Sequence, residues 1–213
     1  MGTALTEAIL NGDVDALRGL IEADPLLLRA PTSLGDGSAN AVPPLHLVCD
    51  AVFRGLVDEA SALAMADVLL EAGVEPNESY AKSGDTYLIA AASLGAERVG
   101  LRLVERGADV HPRGLFGATA LHWAGLMGLE RLAGALVDAG SELELRDTHY
   151  DCTPLDWVLH AWIEGTNGRR DGLPRVAARL VAAGAGVPAT ASRELRGPEH
   201  RVLRAALGLA DDA

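Results

Sequence analysis

One feature constrains this chain more than any other: it repeats itself every 33 residues. Residues 84–110, GDTYLIAAASLGAERVGLRLVERGADV, align with 117–143, GATALHWAGLMGLERLAGALVDAGSEL. Thr86 falls on Thr119, Leu88 on Leu121, Gly95 on Gly128, Leu103 on Leu136 and Gly107 on Gly140. The pattern continues forward through CTPLDWVL (152–159) and LVAAGAGV (180–187), and backward through PPLHLVCD (43–50) and LLEAGVEPN (69–77). LTEAILNGDVDALRGLIEADP (5–25) is an incomplete first copy, and EHRVLRAALGLA (199–210) reads as a last helix. A fixed period of this size means copies of one supersecondary unit, each of which needs its neighbours to bury its apolar face.

Each copy reads as two helices. Thr86, Thr119 and Thr153 stand where a side-chain oxygen caps a helix N-terminus, and Pro154 suits the first helical position. The first helix is short and rich in small residues (Ala91, Ala92, Ala124, Gly125), which lets copies approach closely, and Gly95 or Gly128 ends it. The second helix carries Val99/Leu103, Leu132/Leu136 or Val176/Leu180 four residues apart, which gives one apolar face. Gly73, Gly107, Gly140 and Gly184 supply its left-handed stop.

The composition agrees with helix-on-helix packing: 49% of the chain is apolar but only 4% aromatic, so the core is built from Ala, Leu and Val. The net charge of −12 argues against binding nucleic acid or an anionic membrane. Residues 1–80 hold 13 acids against 3 arginines, and of the 18 basic residues only Lys82 is a lysine. No apolar run of about 18 residues is present, so no membrane span is expected. The N-terminus lacks a basic region followed by an apolar stretch, and Cys49 and Cys152 cannot build a disulfide framework. A cytoplasmic location is therefore expected. The Arg-over-Lys, Ala-heavy composition points to a bacterial chain.

The repeated segments resemble the ankyrin repeat family. TALHWAGLMG (119–128), TPLDWVLHA (153–161), PPLHLVCD (43–50) and the ends RGADV (106–110) and DAGSEL (138–143) carry the resemblance, which covers roughly residues 3–210. It implies an all-α solenoid of stacked helix pairs joined by projecting hairpins. On this reading the chain is one domain, 1–213, with repeats near 3–31, 32–80, 81–113, 114–146 and 147–189 and a capping helix over 190–213.

Two copies depart from the period. From the helix-opening Leu to the closing Gly is 19 residues in the middle copies (88 to 107, 121 to 140), but 28 from Leu45 to Gly73 and 29 from Leu155 to Gly184. Val52 and Trp162 occupy the place of the helix-ending Gly, so both first helices are expected to run on about one turn, to Gly55 and Gly165. The polar loop 165–174 and the insert 32–42 lengthen the same two copies. They are expected to wall a groove over repeats three to five.

In ankyrin proteins partners meet the hairpin tips and the concave side of the first helices. Carried onto this chain, those positions include Leu115, Phe116, His149, Tyr150, Ser93, Leu94, Leu126, Met127, His160 and Ala161, with Trp123 and Trp157 just behind. The expected contact patch is Phe116, Trp123, Leu126, Met127, Tyr150, Trp157 and His160, because an apolar, aromatic cluster on a charged surface is what a recognition hot spot needs. His46 and His122 hold the position whose imidazole ties hairpins together in the family; Asp156 replaces it in the fifth repeat.

A second reading gives the groove chemistry. Asp156 and His160 are one helical turn apart, and with His122 and Asp85 they form a candidate acid–base group for a small apolar substrate. His149, Cys152, Asp156 and His160 match no zinc template, and no phosphate loop, GxSxG or HExxH occurs, so no metal or cofactor is expected. Arg169, Arg170, Arg175 and Arg179 make the one concentrated basic run, most simply a solvated face. The leading expectation is a protein–protein interaction module; the alternative is a small-molecule binder or atypical enzyme.

Overall fold

The computed structural model describes residues 2–29, 31–32, 42–78, 84–165 and 168–210. Most of the insert 32–42, and Thr166 and Asn167 of the loop 165–174, lie outside the described residues. Among the described residues the chain is helical throughout; the sole extended pairing is an isolated antiparallel bridge between Thr32 and Val42. No described helix is long and apolar enough to cross a membrane. The chain forms two compact units, residues 1–109 and 110–213.

The first unit holds three helix pairs: α1 (Gly2–Leu10) with α2 (Val14–Ala23), α3 (Pro44–Phe53) with α4 (Glu59–Glu71), and α5 (Tyr87–Ser93) with α6 (Glu97–Glu105). First helices pack on first helices, α1 on α3 and α3 on α5, while α2 packs on α4 and α4 on α6. Short polar residues start α2, α4 and α5. Asp58 Oδ1 accepts from the N–H groups of Ala60 (2.8 Å) and Ser61 (2.7 Å), and Thr86 Oγ1 accepts from Ile89 N–H at 3.3 Å. All of α5 from Tyr87 to Ala92 is buried, large side chains in its first turn and the methyl groups of Ala90, Ala91 and Ala92 after it.

The second unit contains α7 (Ala120–Met127), α8 (Glu130–Asp138), α9 (Pro154–Glu164) and α10 (Leu173–Ala182), then α11 (Ala191–Glu194) and α12 (Arg201–Ala206). Here α7 packs on α9, α8 on α10, and α12 on α10. The α7–α9 contact is close because Gly125 has no side chain. A Cβ there would stand 3.0 Å from the Pro154 carbonyl oxygen and 3.1 Å from Val158 Cγ2. The inward pairs Leu132/Leu136 and Val176/Leu180 are fully buried.

The two first helices that lack a stop glycine are the long ones: α3 has 10 residues and α9 has 11, against 7 in α5 and 8 in α7. Both give way to glycines of positive φ, Gly55 (68°) and Gly165 (98°). The C-terminal segment departs from the single capping helix expected over 190–213. It is broken into α11, a 3₁₀ turn at Pro198–His200 and α12. Gly197 sits at φ 109° and Pro198 offers no N–H, so an uninterrupted helix cannot pass this point.

Trp162, which replaces the stop glycine of α9, anchors this segment. Its ring is buried, its indole N–H donates to His200 Nδ1 at 2.9 Å, and the Arg170 guanidinium lies 4.5 Å over its face.

Candidate functional site

Within the second unit, two hairpin turns (114–118 and 147–152) and the helices α7 and α9 surround a cavity of about 390 Å³. The hairpins are locked together through one carbonyl. Phe116 O accepts from Thr148 N–H (2.8 Å) and from the Thr148 hydroxyl (2.9 Å). Phe116 itself lies at φ 63°, an uncommon conformation for an aromatic residue, and these two hydrogen bonds hold it there.

The walls are largely aromatic. Phe116, Trp123, Tyr150 and Trp157 line the cavity together with Leu126; Cys152, Asp156 and His160 supply its polar atoms. The rings lie in different planes, steepest where Trp157 meets its neighbours. Trp123 and Trp157 meet edge to face with centroids 4.9 Å apart, and Tyr150 and Trp157 lie 6.3 Å apart at 73°. Phe116 lies 5.8 Å from Tyr150 and 6.3 Å from Trp123. Tyr150 is 57% exposed and His160 is exposed, so the cavity opens to solvent on their side, while Trp157 is 6% exposed and forms its back.

Behind the cavity, Asp147 organises the second hairpin. The residue is 3% exposed, and its carboxylate accepts four N–H groups: His149 N (2.8 Å) and Tyr150 N (2.6 Å) at Oδ1, Cys152 N (3.1 Å) and the Trp157 indole (3.0 Å) at Oδ2. Burial works to raise its pKa, but these donors prevail and hold the carboxyl below its ordinary value. Sequence reasoning did not single out Asp147. The available signal was an Asp opening the polar run T-H-Y-D just before the cap Thr153, the signature of a turn built on an aspartate side chain.

His122 is fully buried, and both ring nitrogens are engaged. Nδ1 accepts from the Thr119 backbone N–H at 3.2 Å with the Thr119 hydroxyl 2.9 Å away, so Nε2 carries the proton and donates to the Cys152 carbonyl at 3.2 Å. Burial pushes its pKa below the ordinary histidine value. One imidazole thus caps α7 and ties it to the hairpin that precedes α9.

At the equivalent position of α9, Asp156 keeps half of that function. Its Oδ2 accepts from Thr153 N–H (2.8 Å) and Oγ1–H (2.9 Å), while Thr153 Oγ1 accepts from Asp156 N–H at 3.2 Å. A carboxylate offers no donor, so the arm that His122 extends to the next hairpin has no counterpart. His46, the third residue of this set, places Nε2 3.3 Å from Asp50 Oδ2 one turn along α3.

Six of the seven residues expected to form a contact patch line the cavity: Phe116, Trp123, Leu126, Tyr150, Trp157 and His160. Met127 does not; it is buried, and its carbonyl accepts from Arg169 N–H at 2.8 Å. The four proposed acid–base residues divide between the two units. Asp85 belongs to the first unit, as do Ser93 and Leu94, and His122 is sealed off from solvent. Asp156 and His160 share the cavity, but no ion pair or hydrogen bond joins them among the described residues. Cys49 is buried, and burial raises the thiol pKa of both cysteines, which keeps them protonated.

The loop after α9 folds back on the end of α7. Gly128, at φ 65°, and Gly172 make room for this approach: a Cβ at Gly128 would fall on the Arg169 carbonyl, and one at Gly172 on the Gly128 carbonyl. The arginines of this region face partners within the unit. Arg175 pairs with Glu130 and Asp171, and Arg179 with Asp138, so α10 and α8 are bridged on their exposed sides. Exposed pairs of this kind contribute little to stability, and they leave less charge free for a ligand.

No family model matches the chain. It is similar to the bovine protein named inactive serine/threonine-protein kinase TEX14, with 34% identity over 99 residues. The matched stretch is 46% of this chain and spans 7% of that protein's length.

Proposed function

We propose that the chain is an ankyrin repeat protein and that it works as a protein-binding module, taking a side chain of its partner into the aromatic cavity of the second unit. One observation carries this reading. Six residues that the ankyrin resemblance singles out, on two hairpins and two helices, line a single solvent-open cavity. Aromatic side chains with few degrees of freedom and a desolvated centre are what a binding hot spot requires. Repeat folds present such surfaces and supply no reaction of their own. Both nitrogens of His122 and one oxygen of Asp156 are spent on helix caps and hairpin ties, which favours recognition over acid–base catalysis.

The test compares proteins captured from native lysate by the wild-type chain and by Tyr150→Ala/His160→Ala, two exposed wall residues whose loss leaves the core intact. Mass spectrometry is read for proteins and for small molecules. A protein retained by wild type and lost by the variant supports the reading. A co-purifying small molecule lost in its place turns the reading to a ligand-binding protein.

A further inference from the structure

Resting on the partner-binding reading, we infer that the group admitted to the cavity is a methylated ammonium, carried on a lysine of the partner. The rings that line the cavity lie in several planes, since Trp123 and Trp157 meet at 83° and Tyr150 and Trp157 at 73°. The negative face of an aromatic ring attracts a cation, and rings set at angles surround one from several sides.

Charge points the same way. Among the described residues no lysine or arginine lines the cavity, and Asp156 does. A cationic head group is drawn toward that carboxylate. The state of Asp156 then selects among cations. Its Oδ2 already accepts two hydrogen bonds from Thr153, and Oδ1 has no hydrogen-bond partner among the described residues. A guanidinium needs both oxygens for its paired hydrogen bonds. An unmodified ammonium needs three acceptors to replace its water. A methylated ammonium has few or no N–H groups to satisfy, so rings and one carboxylate oxygen are enough.

The experiment titrates the full chain calorimetrically with three forms of one arginine-flanked peptide. Its central lysine is trimethylated, unmodified, or replaced by the neutral carbon isostere that carries a tert-butyl head. Expected is binding of the trimethylated peptide about tenfold tighter than of the isostere, a severalfold loss for Asp156→Asn with that peptide, and no change for Asp156→Asn with the isostere. The amide of this variant retains an oxygen for Thr153, and circular dichroism checks that the variant is folded.

Equal binding of the isostere overturns the inference but leaves the partner reading standing, because the cavity then takes an apolar side chain. Equal or tighter binding of the unmodified lysine overturns it too. So does free choline binding as tightly as the trimethylated peptide. If none of the three peptides binds, the inference fails, and the partner reading is decided separately by the lysate capture.

Discussion

The indole N–H of Trp157 donates to Asp147 Oδ2 at 3.0 Å, so the back wall of the aromatic cavity is held in place by the carboxylate that also shapes the neighbouring hairpin. The two residues are joined by more than proximity. The oxygen that receives the indole also receives Cys152 N–H, and the other oxygen receives His149 N–H and Tyr150 N–H. The position of Tyr150 at the mouth and the position of Trp157 at the back are therefore set by one side chain.

Asp147→Asn is expected to destabilise the protein by about 2–4 kcal/mol, because an amide nitrogen would face two N–H donors where a carboxylate oxygen now accepts them. Trp157→Phe removes one donor from that oxygen and is expected to cost about 1–2 kcal/mol. Trp123 supplies the contrast, since its buried Nε1 has no hydrogen-bond partner among the described residues. Trp123→Phe should therefore cost less than Trp157→Phe. Urea unfolding of the three variants checks the order.

His122 makes folding sensitive to mild acid. Its imidazole is neutral in the fold, with a pKa below the ordinary 6.5, because it is buried and its Nδ1 must accept from Thr119. Below pH 6.5 the unfolded chain binds a proton that the folded chain does not, so stability falls as pH drops from 6.5 toward the lowered folded value and the loss then levels off. Asp147, whose pKa is lowered in the fold, acts in a separate window: its contribution is present above the unfolded carboxylate value and is lost as pH falls below about 4. Unfolding midpoints measured between about pH 8 and about pH 3 should show two steps. His122→Gln should flatten the first and spare the second.

Helix ends were legible in the sequence because their chemistry is local. Thr86 and Thr153 cap as their positions demand, and the absence of a stop glycine at Val52 and Trp162 foretold the longer α3 and α9. The cavity walls were legible to the extent that the period places equivalent residues together, which is how Trp123 and Trp157 emerged as a pair. Contacts that cross the period were not legible. Asp147 is one aspartate among many until its four donors are seen, and Trp162 reads as a missing glycine until His200 is brought to its indole. Met127 was misplaced because helical spacing gives the face of a residue but not the loop that covers it: the backbone at Arg169 lies against it.

Asp156 separates capping from charge. Asp156→Ala removes the acceptor for Thr153 N–H and is expected to cost about 1–2 kcal/mol, the usual loss of a helix cap. Asp156→Asn keeps an oxygen in place and should cost less than half as much. A thermal melt distinguishes the two. A similar loss for both would mean that the charge of Asp156, rather than its hydrogen bond, stabilises α9.

Gly128 and Gly140 both adopt positive φ, 65° and 90°, but their surroundings differ. Nothing lies within 4 Å of a Cβ at Gly140, so Gly140→Ala meets only the backbone cost of the left-handed region, about 1 kcal/mol. At Gly128 the added methyl would collide with the Arg169 carbonyl, which is backbone and is fixed by the Arg169 N–H to Met127 hydrogen bond. Gly128→Ala must therefore displace the loop or the end of α7, and it is expected to cost about 3 kcal/mol or more. The difference between the two variants, read from chemical denaturation, isolates the contribution of loop docking from that of backbone conformation. Equal losses would mean that the loop gives way freely and does not brace the end of α7 beside Leu126, a wall of the cavity.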